Sequence, residues 1–184
     1  MDTDEFWRII ETARSSATPT DEALVELLSA RPIEEIFEFQ KYFDEAHDAV
    51  YRWDMWAAAY LIQGGCSDDS FIDFRAGLIA LGRDWYEKAA RCPDSLADHP
   101  AVRATAPNPC YELFYEEINY AATEAFDRRT ADRDAFDAGL VLREAASAQE
   151  AEQDMGEDFD FDDPGEMRQR LPRLASLYLG NGAL

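Results

Sequence analysis

Residues 53–75 read WDMWAAAYLIQGGCSDDSFIDFR. Before the paired glycines, Ala46, Val50, Trp53 and Ala57 recur at three- and four-residue steps, the period of a helix that buries one face. Gly64 and Gly65 stop that helix, because the left-handed backbone of a helix terminus suits glycine. Ser67 then caps a second helix, with Asp68 and Asp69 at the positive end of its dipole. Phe71, Phe74, Leu78, Leu81 and Trp85 carry its apolar stripe, the strongest in the chain, as far as Cys92-Pro93. Two helices joined by a glycine turn can lie antiparallel, and this pair sets the expected class as all-α.

The same period extends outward in both directions, and no convincing run alternates with the period of two that strands require. Phe6, Ile9, Ile10 and Ala13 predict a first helix; Thr20 is placed to cap a second with Leu24, Leu27 and Leu28. Pro32, followed by Glu34 and Glu35, opens a third whose stripe from Ile36 to Ala57 fits one bent helix or two. Asn108-Pro109 can open another with Leu113, Phe114, Ile118, Ala121 and Ala125, and one more runs from Thr130 towards Gln149. Residues 144–163 hold nine acids and no Lys or Arg, which predicts a mobile acidic connection pinned by Phe159 or Phe161. Asp163-Pro-Gly-Glu166 starts a last helix that Pro172 must kink or divide. The expected architecture is a compact single-domain bundle of roughly seven helices over residues 1–184.

Composition narrows the function. Among 184 residues, 39 acids oppose 17 bases for a net charge of −22, while 47% hydrophobic content suffices for a core. Such a surface repels nucleic-acid phosphates and anionic lipid, so no nucleic-acid and no membrane partner is expected; a basic protein or peptide suits it. The acidic start Met1-Asp-Thr-Asp has no basic region leading into an apolar run, and no stretch of about 18 apolar residues could span a bilayer. Cys66, Cys92 and Cys110 are odd in number and lack metal-type spacing. Free thiols in a cytoplasmic protein are the simplest reading.

The chemically capable side chains gather around the glycine turn. Arg75 sits at the margin of its apolar stripe with no acid at i±3 or i±4, so a partner from elsewhere is expected, and Asp54 is the natural candidate. That pair either fixes helix register or forms part of an anion subsite. Cys66 precedes a capped helix, which lowers a thiol pKa, but Asp68 and Asp69 oppose the effect and no His stands nearby to serve as base. Adjacent Asp after a Ser cap is ordinary helix chemistry; no metal and no cofactor is expected. His47 and His99 read as packing or solvent-facing residues. Trp53, Trp56 and Tyr60 form an aromatic ridge suited to a core, a ligand groove or an interface, which Tyr111, Phe114 and Tyr115 could face.

Three segments together resemble the uncharacterised bacterial family DUF4240: Asp4-Glu-Phe-Trp7, the whole of Trp53 to Arg75, and Asp160 to Tyr178. The resemblance implies no activity. Members commonly carry Trp at the position of Gly77, a difference that could open a pocket beside Arg75. The leading expectation is a binding or interaction module whose recognition surface comprises Trp53, Asp54, Trp56, Tyr60, Cys66, Asp68, Asp69 and Arg75. The alternative is an enzyme or small-molecule binder with Asp54, Asp68, Asp69 and Arg75 in a polar pocket beside Cys66.

Overall fold

A computed structural model describes residues 1–147 and 154–180. In chain order its α-helices are α1 (Thr3–Arg14), α2 (Thr20–Ser29), α3 (Ile33–Ala49), α4 (Trp53–Gln63), α5 (Asp68–Ala80), α6 (Arg83–Arg91), α7 (Pro100–Thr105), α8 (Ala121–Thr130), α9 (Arg133–Ser147), α10 (Pro164–Arg170) and α11 (Pro172–Tyr178). Three 3-10 turns accompany them, at Pro93–Asp98, Tyr111–Leu113 and Glu116–Tyr120. The described residues contain no strand, so the class is all-α, with more and shorter helices than the seven expected. No helix among them is long and apolar enough to cross a membrane.

The extra breaks have physical causes. The long stripe of residues 36–57 divides at Val50–Arg52, where Arg52 is extended and the Trp53 amide donates to the Met155 carbonyl at 3.0 Å. That acceptor lies far away in sequence and leaves no local signal. The second stripe divides between α5 and α6, because Gly82 takes φ +87°. The helix expected from Asn108 does not begin until Ala121. Instead Cys110 donates its amide to Ile62 O at 2.8 Å and Tyr115 to Asp73 O at 3.1 Å, so tertiary partners draw this segment out of helical geometry. Thr20 is the first residue of α2 rather than its cap, whereas Pro172 divides α10 from α11 as expected.

The chain forms two compact units. In the first, Met1–Ala46 with Glu117 onward, α2 lies against both α1 and α8. Asp2 caps α1 by accepting from the Glu5 amide at 2.8 Å. Ile10, Leu24, Leu28 and Ile36 are wholly buried, each contributing roughly 1.5–3 kcal/mol. Phe37 meets Phe126 of α8 at 5.4 Å and Phe136 of α9 at 5.0 Å, while the Arg143 guanidinium covers its ring at 3.7 Å.

The second unit, His47–Glu116 with Asp154 onward, centres on α4 and α5. Its core holds Met55, Ala58, Ile62, Phe71, Phe74, Leu78, Leu96, Met167 and Leu174. Helix α11 packs on α4 and on the Pro93–Asp98 turn. Its start is held by buried Asp94, which accepts from the amides of Arg173 (3.0 Å) and Leu174 (2.9 Å). Of the acidic block, 148–153 lie outside the described residues. Residues 154–160 carry no regular structure, and the segment leads through Phe161 and Asp162 to the cap of α10 at Asp163.

Candidate functional site

Helix α4 presents Trp53, Trp56 and Tyr60 on one side, as the spacing predicts. The two indoles stack at 5.6 Å with planes 10° apart, and Trp56 stacks on Phe71 of α5 at 4.7 Å. The Trp56 indole N–H donates to Cys66 O at 3.0 Å, fixing the glycine turn in which Gly64 has φ +79°. The ridge also receives the C-terminal segment. Phe161 sets its ring edge-on to Trp53 at 6.2 Å and against Tyr60 at 5.6 Å, and Phe159 packs on Phe161 at 5.1 Å. The Arg170 guanidinium lies 4.3 Å from the Phe159 ring centre and pairs with Glu157 and Glu166. Of the aromatics expected to face this ridge, Tyr111 is 64% exposed and Phe114 packs on Phe74 instead.

Arg75 does not pair with Asp54. Asp54 accepts both bonds of a fork from Arg52, at 3.0 and 3.2 Å, and Arg52 also donates to Ala90 O. Arg75 is buried over the rings of Tyr51 (4.6 Å) and Phe71 (5.1 Å) and donates to the His47 carbonyl at 3.2 Å. The Asp48 carboxylate stands 4.0 Å away and is mostly exposed. Burial holds the Arg75 pKa below its ordinary value, with Asp48 and then Tyr51 opposing. This guanidinium serves the last turn of α3, whose carbonyls lack helical partners and carry the negative end of the dipole. Sequence reasoning identified a buried cation correctly but named the wrong acid, Asp54 rather than Asp48, and missed the hydrogen bond to the His47 carbonyl.

Gly77 opens no pocket. A Cβ built there would lie 2.0 Å from the Leu113 carbonyl oxygen and 2.7 Å from its carbon. The room left by the missing side chain is therefore filled by the main chain of 113–114.

The remaining candidates are dispersed. Burial pushes the Cys66 thiol up to about 12, with Asp68 and Asp73 adding to the rise and the Trp56 N–H opposing it. A thiol held so high stays protonated at neutral pH and is a poor nucleophile. Asp68 and Asp69 are exposed in the first turn of α5, below the cap that Ser67 makes to the Ser70 amide at 3.2 Å. Among the described residues no His, Cys, Asp and Glu cluster could hold a metal ion. His99 is buried edge-on to Trp85 at 4.8 Å.

His47 is informative for a different reason. Its Nε2 lies 3.1 Å from the Ile72 carbonyl. Burial, assisted by the Arg75 charge, lowers its pKa to about 4. The unfolded chain, with an ordinary histidine near 6.5, then binds more protons than the native state between those two values. Stability is present in full above pH 6.5 and is lost as pH falls towards 4. We predict a loss of about 2 kcal/mol from this group between pH 7 and pH 5. Urea unfolding of the wild type and His47→Gln checks this: the variant keeps a donor for Ile72 O and should lose that part of the slope.

Beyond Tyr60 the ridge borders a groove of about 310 Å³. One wall is Tyr60 and Leu61 of α4 with Gly64 just after it; Pro107 and Pro109 form the second. Phe161, Asp162 and Pro164, with Tyr178 at the end of α11 and Leu179 after it, complete it. Tyr60 donates its hydroxyl to Asp162 Oδ1 at 2.5 Å, a bond that, with lesser help from burial, raises the Tyr60 pKa. The Tyr178 hydroxyl is buried without a hydrogen-bond partner among the described residues; burial raises its pKa, with Thr105 opposing. Of the expected recognition residues, only Tyr60 lines this groove. Asp162, Tyr178 and the two prolines were missed, since they come from segments far apart in sequence with no shared pattern.

A family model described as "Protein of unknown function (DUF4240)" matches residues 1–128. The chain belongs to this family. No curated protein and no solved structure matches it. The DUF4240 match covers the ridge and the proline wall, whereas Phe161, Asp162, Tyr178 and Leu179 lie beyond it.

Proposed function

We propose that this DUF4240 protein is a binding module that recognises a partner through the groove beside Tyr60. The carrying observation is the groove's makeup: aromatic rings, prolines and leucines surround one carboxylate. Concave, mainly apolar sites with a few placed polar groups are built to hold a ligand. The recognition surface thereby narrows to the Tyr60 end of the aromatic ridge, where Gly64 of the glycine turn also lines the groove. The enzymatic reading draws less support, because its residues are engaged separately. Asp54 is tied to Arg52, Arg75 to the His47 carbonyl, and the Cys66 thiol is held protonated.

The test is saturation-transfer NMR with short peptides and small molecules on the wild type and on Leu179→Trp, which fills the groove from its exposed rim. Ligands that bind the wild type and fail to bind the variant are the expected result. Ligands that ignore the blocked groove, or that return chemically altered, would replace binding here by the enzymatic alternative.

A further inference from the structure

We infer that the groove takes the cationic side chain of an arginine or lysine, presented by a basic peptide segment of a partner protein. The inference rests on the binding reading above and adds the chemistry of the occupant.

Charge is the first argument. Glu157 and Glu166 share Arg170, Asp98 has Lys88 and Arg173, and Asp54 has Arg52, whereas Asp154, Asp158, Asp160 and Asp163 form no ion pair among the described residues; Asp162 is the acid that lines the groove. Asp162 is bonded instead to a neutral phenol and forms no ion pair among the described residues. A phenol O–H orients the carboxylate but leaves its charge uncompensated. The groove lining contains no basic residue, and the chain as a whole carries −22, so an anionic occupant is repelled and a cationic one drawn in.

Shape is the second. Tyr60, Phe161 and Tyr178 line the groove, and guanidinium and ammonium groups are attracted to aromatic rings of this kind. Pro107, Pro109 and Leu179 supply an apolar bed for the aliphatic stem that both side chains bury. A volume of about 310 Å³ is at the small end for ligand sites, room for one side chain and its neighbours but not for a folded element. The protein already uses this recognition internally. Arg170 lies over Phe159 at 4.3 Å while its nitrogens reach two carboxylates at 3.1 and 3.2 Å.

The experiment titrates the full chain, followed by amide NMR, with four hexapeptides in a Gly/Ser host. One carries arginine, one lysine, and two carry their neutral counterparts, citrulline and acetyl-lysine. The variants are Asp162→Asn and Leu179→Trp at exposed groove positions, and Asp137→Asn as an exposed acid elsewhere with the same charge change. We expect the cationic peptides to shift the resonances of Tyr60 and Leu179. Asp162→Asn should weaken them at least tenfold, and Asp137→Asn less than twofold. Equal weakening by both Asn variants would reduce the effect to attraction by the acidic coat and overturn the inference. Neutral peptides that bind as well as the cationic ones, and are blocked by Leu179→Trp, would overturn it while leaving the groove as a binding site. If no peptide moves groove resonances, the inference fails, and small-molecule binding to the wild type against Leu179→Trp then decides whether the groove holds a ligand at all.

Discussion

Gly77→Ala is expected to destabilise this protein by at least about 3 kcal/mol, against the direction that helix propensity alone dictates. In an exposed helix the same change stabilises by roughly 1 kcal/mol, since alanine loses less backbone entropy. Here position 77 is buried in α5, and the new methyl group would stand 2.0 Å from the Leu113 carbonyl oxygen. The obstacle is main chain, not the end of a flexible side chain, so relief requires moving the segment over 113–114. That segment is anchored by Phe114 on Phe74 (5.1 Å) and by the Tyr115 amide on Asp73 O (3.1 Å). Overpacking of a close-packed interior typically costs 1–3 kcal/mol and more where backbone must shift. Urea denaturation gives the number, and a variant equal to or more stable than wild type would show that 113–114 does not cross α5 at this distance. A relative bearing Trp at this position must route the segment differently.

Arg75→Ala should cost about 3 kcal/mol, from three losses together. The His47 carbonyl loses a charged donor, two rings lose the cation above them, and a cavity opens between α5 and Tyr51. The cost stays below that of breaking a buried ion pair, because Asp48, mostly exposed, is not left as a buried charge. Arg75→Met supplies the contrast. It refills much of the volume and removes the burial penalty of a guanidinium whose Nε has no hydrogen-bond partner, so it should come within about 1 kcal/mol of wild type. It also removes the charge that helps to hold His47 neutral, so the histidine pKa, read by NMR, should rise from about 4. An Arg75→Met variant as unstable as Arg75→Ala would mean that the charge itself, rather than packing, carries the stability.

The two substitutions mark where local reading stops. That α4 and α5 are helices, that Gly64 ends one and Ser67 caps the next, follows from period and end residues. Capping and left-handed termination involve atoms within four residues, so the sequence displays them. The burial of Arg75 was equally visible from its place in an apolar stripe. Its pairing was not, because the acceptor is a carbonyl, and every residue has one. Asp54 looked suitable by residue type, yet Arg52 lies two positions away and reaches it first.

By itself, then, the sequence determined the all-α class, the helix ends at Gly64 and Ser67, the aromatic ridge of Trp53, Trp56 and Tyr60, and a net charge of −22. Only the tertiary structure decided that Met155 accepts the Trp53 amide where the long stripe breaks, that Leu113 occupies the space of a side chain at 77, and that Tyr60, Pro109, Asp162 and Tyr178 share one groove. The division has one physical cause. Helix period and caps arise from contacts within a turn or two, whereas a groove wall joins positions such as Tyr60 and Asp162, 102 residues apart, through packing that no local pattern encodes.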